Sequence, residues 1–189
     1  MHITIIDNYD SFTYNLVHYF EEFDVKISVF KNDEIDWNTL DLTDAIVLSP
    51  GPGLPTESNH LMDVIQKFFY IKPMFGVCLG MQALAQFVGD QLENQLEVKH
   101  GISEKINIIN KSHLFKELED VQEVGLYHSW KIQLNNKSPF IPTSFSENNV
   151  LMSFQHKELP IYGVQFHPES IMTINGKKII RNFITSIHS

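Results

Sequence analysis

The sequence predicts an α/β protein built on a doubly wound, mostly parallel sheet, to which a small antiparallel sheet is added. In the first half of the chain, short apolar runs alternate with segments of helical periodicity, the pattern of a parallel sheet with helices on both faces. From Gln91 onward the helical period weakens and short strand-like pieces dominate. The length of 189 residues suits one domain over 1–189, and no internal repeat or linker divides it.

The first predicted unit is a strand, a helix and a second strand. Ile3–Ile6 is an apolar run short enough for a strand that is buried on both faces. Apolar residues then recur at helical spacing over 12–20, and we expect Asp10 or Ser11 to be the N-cap of that helix. Val25–Phe30 alternates apolar and polar residues, which predicts the second strand.

The next unit leads to the single cysteine of the chain. We expect the acidic segment 32–44 to form a loop or a short helix, and Ala45–Leu48 to form the third strand. The loop 49–55 contains three prolines, which lack amide donors, and two glycines, so it cannot be regular structure. Apolar spacing over 61–69 predicts another helix, and Met74–Val77 is the predicted strand before the cysteine.

The second half of the chain contains mostly short predicted strands and ends in a helix. The strands are Ile106–Ile109, Val121–Val124, Trp130–Leu134, Val150–Phe154 and Ile161–Phe166. Isoleucines and a phenylalanine at helical spacing over 179–187 predict an amphipathic final helix. Ligands of doubly wound sheets bind outside the carboxyl ends of the strands. We therefore look for the functional site at those ends.

Composition excludes several classes of function. The formal net charge is −9, and the lysines and arginines are scattered, so nothing resembles the basic surface of a nucleic-acid-binding protein. No apolar run reaches the length of a membrane span, and Met1 leads directly into a predicted strand, so we expect neither a membrane anchor nor a signal peptide. One cysteine excludes an internal disulfide, which favours the cytoplasm. None of the nine histidines has metal-ligand spacing, so no metal site is predicted.

Cys78 lies in the frame Gly76-x-Cys78-x-Gly80, which is the cysteine version of a nucleophile elbow. In such an elbow a strand turns sharply into a helix, and we expect the flanking glycines to meet crowding or a positive φ there. The position at a helix N-terminus favours the thiolate form. A lone cysteine is often only a small buried apolar residue. The glycine frame favours the nucleophile over that alternative.

A cysteine nucleophile needs a base, and His167 is the leading candidate. It follows an apolar strand and precedes Pro168, and Glu169 lies two positions further on. In an extended segment residues two apart face the same side, so the carboxylate of Glu169 can orient the ring. Taken alone, His-Pro-Glu is more often a polar turn. His128 is the competing base, but no carboxylate follows it closely, so we expect it to shape the pocket.

The Pro-Gly loop that contains Gly51 and Gly53 has two interpretations. It can be a plain surface turn, since proline and glycine are common in turns. Its position at the carboxyl end of a strand favours a backbone donor to an oxyanion instead, because glycine lets an amide approach a substrate oxygen closely. The loop is not a dinucleotide-binding fingerprint, because prolines interrupt it and no third glycine opens the following helix.

Five motifs together resemble those of class I glutamine amidotransferases, in the same order and over essentially the whole chain. These motifs are DNYDSFTYN from Asp7, LSPGPG from Leu48, GVCLGMQ from Gly76, YHS from Tyr127 and GVQFHPES from Gly163. The opening Asp-Asn-Tyr-Asp-Ser-Phe narrows the resemblance to glutaminase subunits of chorismate-aminating synthases, which are anthranilate synthase and aminodeoxychorismate synthase. The family fold is flavodoxin-like, in agreement with the predicted doubly wound sheet.

The resemblance implies a role for each residue of the predicted site. Cys78 would attack the side-chain amide of glutamine and form a γ-glutamyl thioester. His167 would move the protons, and Glu169 would orient His167. The amides of Gly53 and Leu79 would form the oxyanion hole. A further set would hold the glutamine: Gly51, Pro52, Gly53, Gln82, Ser129 and Trp130.

The family resemblance also implies a partner and no cofactor. Ammonia would pass, without release to water, into a larger chorismate-utilising synthase subunit, and the glutaminase half would need neither a metal nor an organic cofactor. The anthranilate branch (tryptophan biosynthesis) is preferred over the aminodeoxychorismate branch (folate biosynthesis). The alternatives are a stand-alone γ-glutamyl hydrolase and an inactive binding module; retention of Cys78, His167 and Glu169 opposes the latter.

Four residues depart from the usual family pattern. Met81 stands where many relatives have histidine, and Val88 where glycine is common. Leu126 replaces an arginine before Tyr-His-Ser, and Trp130 replaces a leucine after it. None of these residues belongs to the predicted triad. We therefore expect effects on partner contacts and on the shape of the glutamine pocket rather than on the chemistry.

Overall fold

A computed structural model describes residues 1–95, 101–111 and 113–187 of the chain. Its eleven strands in these ranges are β1 (His2–Asp7), β2 (Lys26–Lys31), β3 (Ala45–Leu48), β4 (Met74–Val77), β5 (Gln91–Asn94), β6 (Ile102–Ile108), β7 (Val121–Leu126), β8 (Trp130–Gln133), β9 (Phe140–Ser146), β10 (Leu151–His156) and β11 (Ile161–Val164). The helices described there are α1 (Thr13–Glu21), α2 (Trp37–Leu42), α3 (Leu61–Phe68), α4 (Leu79–Phe87) and α5 (Gly176–Ser186).

The main sheet has the strand order β2-β1-β3-β4-β11-β10-β9-β6-β7. Its first five strands are parallel, and the rest continue the same sheet in antiparallel pairing. Strands β5 and β8 form a separate antiparallel pair. The prediction of a doubly wound, flavodoxin-like sheet with a small antiparallel sheet is confirmed. The structure adds that the antiparallel strands also widen the main sheet.

Helices cover both faces of the parallel strands, and each face has its own apolar core. One core joins the sheet to α1 and α5, and the other joins it to α2, α3 and α4. Successive strand residues alternate between the two, as pleating requires: Ile5 packs in the first core and Ile6 in the second. The parallel strands β1, β3 and β4 are therefore buried on both sides, which explains their continuous apolar runs.

The structure corrects several details of the predicted elements. Helix α1 begins at Thr13 with Phe12 as its N-cap, so neither Asp10 nor Ser11 has that role. The Asp10 carboxylate instead accepts a hydrogen bond from the Phe12 N–H (2.8 Å), which stabilises a turn just before the helix. Strands β5 and β9 were not predicted, and β6 begins at Ile102 rather than Ile106. The segment 32–44 does contain a short helix, capped by Asp36.

In the described part of the chain, no helix combines the length and the apolar character needed to cross a membrane.

Candidate active site

Three neighbouring strands bring the predicted site residues to one edge of the sheet. Strand β4 lies between β3 and β11, and the three are parallel. Their carboxyl ends therefore meet at the same edge. The Pro-Gly loop follows β3, Cys78 follows β4, and His167 lies just beyond the end of β11.

Cys78 occupies a sharp turn between β4 and α4. Its backbone has φ 51° and ψ −104°, a conformation that non-glycine residues rarely adopt. The Cys78 N–H donates to the Val164 carbonyl (2.8 Å), and the Cys78 carbonyl accepts from the Gln82 N–H (3.0 Å). The residue is 7% exposed. These features are typical of a nucleophile elbow, in which surrounding hydrogen bonds hold a strained residue in place.

The two glycines of the elbow are needed for space. A Cβ on Gly76 would lie 2.5 Å from the carbonyl carbon of Gly80, and a Cβ on Gly80 would collide with the Leu48 carbonyl oxygen. Neither glycine has a positive φ; among these three residues Cys78 alone does. Of the two reasons considered for the glycines, crowding is therefore the one that the structure confirms. Strand β3 and helix α4 approach too closely for side chains there.

His167 and Glu169 form a buried ion pair beside the elbow. Nδ1 of His167 donates to Oε1 of Glu169 over 2.7 Å, since a carboxylate can only accept. The side chains are 3% and 0% exposed. The second carboxylate oxygen, Oε2, has no hydrogen-bond partner in the described residues. The charge of Glu169 therefore depends on His167 for compensation.

The pKa of His167 lies well above its ordinary value of 6.5. Burial alone lowers this pKa, because it penalises the charged ring, but the Glu169 carboxylate and the Cys78 side chain raise it by more. Cys78 is thus close enough to act on the ring, although Nε2 makes no hydrogen bond of regular geometry within the described ranges. The arrangement favours an imidazolium at His167, next to the Glu169 carboxylate.

The backbone around His167 is held on two sides. The His167 N–H donates to the Gly125 carbonyl (3.0 Å), and the His167 carbonyl accepts from the Thr173 hydroxyl (2.6 Å). The ring packs against Tyr127, with ring centroids 4.8 Å apart, and against the edge of Phe12. These contacts fix the ring in the orientation that directs Nδ1 to Glu169.

His128, the competing base, has a different environment. It is buried just before β8, and its Nδ1 lies 2.9 Å from the Trp130 carbonyl oxygen and 2.7 Å from Nε2 of Gln95. These two contacts join the ring to a carbonyl and an amide, whereas His167 contacts a carboxylate. The geometry therefore favours His167 as the partner of Cys78.

Asparagine side chains hold the Pro-Gly loop in position. Asn8, after β1, donates from Nδ2 to the Ser49 carbonyl (2.9 Å) and accepts from Asn32 (3.1 Å), which in turn accepts from Asn59 (2.8 Å). The Asn8 N–H also donates to the Ser49 hydroxyl (2.9 Å). The sequence analysis missed this chain of amides, since asparagine in loops is too common to be informative. It ties the loops after β1, β2 and β3 together.

Of the two predicted oxyanion-hole donors, the geometry supports the amide of Leu79 more than the amide of Gly53. Leu79 is the first residue of α4, where the backbone N–H has no acceptor within the helix. Gly51 packs against the elbow so closely that a Cβ there would lie 2.7 Å from Leu79 Cδ2. Gly53 and Pro52 are exposed, and Gly53 has a φ of 77° that favours glycine. The role of the Gly53 amide stays a prediction.

The remaining residues predicted to hold glutamine lie on α4 and around β8. Gln82 is buried on the first turn of α4, and its Nε2 donates to the Trp130 carbonyl (3.4 Å) and to Oε1 of Gln165 (3.1 Å). Ser129 and Trp130 are partly exposed. Gln165 was not predicted as a site residue, yet its Nε2 lies 3.5 Å from the sulfur of Cys78.

The four departures from the family pattern lie outside the ion pair. Met81 is fully buried in the core that joins the sheet to α3 and α4, whereas Cys78 belongs to the opposite core, so the methionine acts on packing. Leu126 is fully buried in β7, and Val88 is the C-cap of α4. Trp130 begins β8 and pairs with Asn94. The Trp130 carbonyl accepts a hydrogen bond from Gln82, a predicted glutamine-binding residue.

Two further features of the described residues bear on the site. No group of three or more histidine, cysteine or acidic side chains there is placed to hold a metal ion. A cleft of about 650 Å³ lies by α5, lined by His113, Lys116 and Arg181 among others, and contains none of the predicted site residues. The strained cysteine lies outside this cleft, so the elbow remains the candidate active site.

The fold and the site are typical of α/β enzymes that use a cysteine nucleophile with a histidine and a carboxylate. Comparison with protein families identifies which of these enzymes the chain resembles. The family described as glutamine amidotransferase class-I matches residues 4–187. The chain belongs to the class-I glutamine amidotransferase family.

Curated relatives match nearly the whole chain. It is 43% identical over 195 residues to "Anthranilate synthase component II" of Haloarcula marismortui, with 98% of each chain covered. It is 40% identical to "Aminodeoxychorismate/anthranilate synthase component 2" of Bacillus subtilis, with 96% of this chain and 95% of that protein covered. It is 39% identical to "Putative anthranilate synthase component II" of Haemophilus influenzae, with 97% and 96% covered.

Solved structures share the fold. A putative GMP synthase component from Thermoplasma acidophilum superposes with a TM-score of 0.89 at 28% identity, covering 100% of this chain and 94% of that one. A glutamine amidotransferase from Thermotoga maritima superposes with a TM-score of 0.84 at 15% identity, covering 100% and 99%. The second likeness concerns the fold alone.

Proposed function

We propose that this chain is the glutaminase subunit of a synthase that aminates chorismate. The observation that carries the proposal is the strained Cys78 beside a buried His167–Glu169 ion pair, which lies just beyond the end of the neighbouring strand β11. A positively charged ring next to a thiol favours a thiolate nucleophile at neutral pH. The substrate is L-glutamine, as expected of a class-I glutamine amidotransferase.

In the first half of the reaction, the Cys78 thiolate attacks the carbonyl carbon of the glutamine side-chain amide. The backbone amides of Leu79 and Gly53 donate hydrogen bonds to the carbonyl oxygen and stabilise the negative charge that develops on it. One such donor typically lowers the barrier by about 3 to 4 kcal/mol. His167 gives its Nε2 proton to the departing nitrogen, so the carbon–nitrogen bond breaks and ammonia leaves. A γ-glutamyl thioester on Cys78 remains.

In the second half, neutral His167 accepts a proton from water at Nε2 while the water oxygen attacks the thioester carbonyl. The carbon–sulfur bond breaks, glutamate leaves, and the thiolate–imidazolium pair is restored. Glu169 keeps Nδ1 protonated and oriented throughout. Gly51, Pro52, Gln82, Ser129 and Trp130 hold the glutamine. Both donor hydrogens of Gln82 already point to protein acceptors, so we expect it to contact substrate through Oε1.

Ammonia then passes to a larger chorismate-utilising subunit with which this chain forms a hetero-oligomer. The names of the relatives from Haloarcula marismortui and Haemophilus influenzae support the role of anthranilate synthase component II. The Bacillus subtilis relative carries both the aminodeoxychorismate and the anthranilate name, which supports aminodeoxychorismate synthase as the second candidate. Co-purification with the synthase subunit, followed by identification of the aminated product, distinguishes the two.

The nucleophile is tested with Cys78→Ala in the complex with the synthase subunit. We expect glutamine-dependent synthesis to fall by about 10³-fold or more while ammonia-dependent synthesis is retained. Full glutamine-dependent activity would refute the assignment. A stand-alone γ-glutamyl hydrolase would instead cleave γ-glutamyl peptides without any partner.

The base is tested by comparing His167→Ala with His128→Ala, since both histidines are buried. We expect His167→Ala to abolish turnover of glutamine and His128→Ala to leave the chemical step largely intact. The measurement is glutamate release under single-turnover conditions. Wild-type turnover by His167→Ala, with loss in His128→Ala, would transfer the role to His128.

A further inference from the structure

A buried glutamine contacts the predicted nucleophile without bringing a charge to it. Gln165 is 0% exposed and follows the last residue of β11. Its Nε2 donates to the sulfur of Cys78 over 3.5 Å, within the range of hydrogen bonds to sulfur, and its Oε1 accepts from Nε2 of Gln82 over 3.1 Å. The mechanism proposed above assigns this side chain no role.

The direction of the Gln165 amide is determined by its neighbours. The backbone carbonyl of Trp130 can only accept, so the amide group that Gln82 presents to it must be the NH₂. The same NH₂ faces Gln165, which must therefore present its oxygen to Gln82. Its own NH₂ is then left to face the sulfur. Reversing either amide would place two acceptors or two donors against each other.

The position of Gln165 just after β11 also places its side chain next to Cys78. Gln165, His167 and Glu169 follow β11 in one short segment of bends and turns, in which the Ser170 N–H donates to the His167 carbonyl (3.1 Å). The Gln165 N–H donates to the Met152 carbonyl (2.8 Å), which holds its backbone against β10. One short segment thus brings both the base and an amide donor to the same sulfur atom.

We propose that Gln165 is a positioning residue that holds the Cys78 sulfur and stabilises its thiolate. An amide N–H directed at sulfur bonds more strongly to the anion than to the neutral thiol, so it favours the reactive form. Gln82 acts through Gln165 by fixing the direction of its amide, so hydrogen bonds link the Trp130 carbonyl to the nucleophile. The role in glutamine turnover rests on the proposed function, whereas the contact with the thiol does not.

The test measures the rate at which iodoacetamide alkylates the protein as a function of pH. Cys78 is the only cysteine, so this reaction reports on it alone. In Gln165→Met, which keeps the length but donates no hydrogen bond, we expect the midpoint of the pH–rate profile to rise by about one pH unit. Gln165→Glu should raise it further, because a carboxylate beside the sulfur repels the thiolate. Gln82→Met should raise it by a smaller amount.

Gln122→Met is the matched control. Gln122 is also a buried glutamine, with its amide bonded to the carbonyls of Glu119 and Val121 and to Asn175, and it is not among the residues bonded to the sulfur. We expect its profile to coincide with that of the wild type. Identical midpoints in the wild type, Gln165→Met and Gln165→Glu would overturn the proposal. So would an equal shift in Gln122→Met, because that result would indicate a general loss of packing.

Steady-state glutaminase assays in the complex separate this inference from the proposed function. We expect Gln165→Met to lower kcat by about 10-fold with little change in KM, because the thiolate is needed after glutamine binds. If the wild type has no glutaminase activity but the alkylation midpoints still shift, the proposed function fails and the positioning role stands. If the wild type is active and the midpoints do not shift, the positioning role alone fails.

Discussion

Replacing Glu169 by glutamine tests whether His167 is held as a buried cation. The substitution keeps the size of the side chain and retains one acceptor for Nδ1, but it removes the negative charge 2.7 Å from the ring. Because both side chains are almost completely buried, water cannot compensate for the lost charge. The variant therefore isolates the electrostatic part of the contact.

The expected cost follows from the geometry of the pair. Two unit charges whose centres lie about 4 Å apart interact by about 4 kcal/mol at an effective dielectric constant near 20. The neutral hydrogen bond that the glutamine oxygen still accepts recovers about 1 kcal/mol. We therefore expect Glu169→Gln to lower the free energy of unfolding by about 3 kcal/mol when His167 is charged, at the lower end of the range for breaking buried pairs.

This cost depends on pH in a defined direction. The pKa of His167 is raised in the folded protein, so the folded state binds a proton that the unfolded chain, with a pKa of about 6.5, gives up as the pH rises. The stabilisation is complete below about pH 6.5 and is lost as the pH rises through the folded pKa. In Glu169→Gln, burial is no longer opposed by the carboxylate, and the pKa of His167 falls. The difference between wild type and variant should narrow in alkaline solution.

The assay is urea denaturation of both proteins at a series of pH values from about 6 to 9, a range that brackets the titration of histidine. Glu22→Gln is the control, because Glu22 forms an ion pair with Lys177 at a similar distance (2.6 Å), but both side chains are about half exposed. Exposed pairs contribute little, so the control should unfold like the wild type at every pH.

A constant difference between wild type and Glu169→Gln across this pH range would refute the reasoning. It would mean that the charge of His167 does not change with pH in this range in either protein. A difference that grows with pH would contradict the sign of the argument, because it would require a lowered pKa for His167 in the folded protein.

Two further predictions concern the elbow and the loop beside it. In urea titrations, the free energy of unfolding of Cys78→Gly should exceed that of Cys78→Ala by about 1 kcal/mol, because glycine adopts the positive φ without the strain that alanine retains. A more stable alanine variant would argue against strain. Asn8→Ala should lower the free energy of unfolding by about 2 kcal/mol in urea titrations, since Ser49 and Asn32 lose buried hydrogen-bond partners. The exposed Asn15→Ala, as control, should have little effect.

The hydrophobic pattern of the sequence was sufficient to predict the strands that are buried on both faces of the sheet. The runs at β1, β3 and β4 correspond to strands because their core positions are almost all apolar, and the buried Thr4 hydroxyl in β1 donates to the Thr43 hydroxyl. Strand β9 escaped prediction because it contains Pro142 and several hydroxyl residues. Thr143 and Ser144 are nevertheless buried, because both hydroxyls bond to Ser153 of β10. Pattern alone cannot reveal such a pairing, since the partner lies in another strand.

At the site, sequence alone identified the residues that motifs mark, and it missed those that act through geometry. The predicted contact between His167 and Glu169 is present, but it forms across a turn at 168–169 and not along the extended segment that the spacing argument assumed. Gln165 lies at a bend just after β11, so a rule for extended backbone does not account for its contact with the sulfur. The asparagines at 8, 32 and 59 carried no signal of their contact, because they meet only after three separate loops fold together.

The pairing of β4 with β11 has a consequence for synthesis of the protein. Cys78 and Gln165 are 87 residues apart in the chain, and β11 fills the place between β4 and β10. A growing polypeptide on the ribosome therefore carries the thiol long before it contains the histidine, the carboxylate or the amide that surround it in the finished protein. Until β11 is added, the elbow lacks a neighbour on one side. Glutamine hydrolysis thus cannot begin in a partly synthesised chain, and activity appears only once the last central strand is in place.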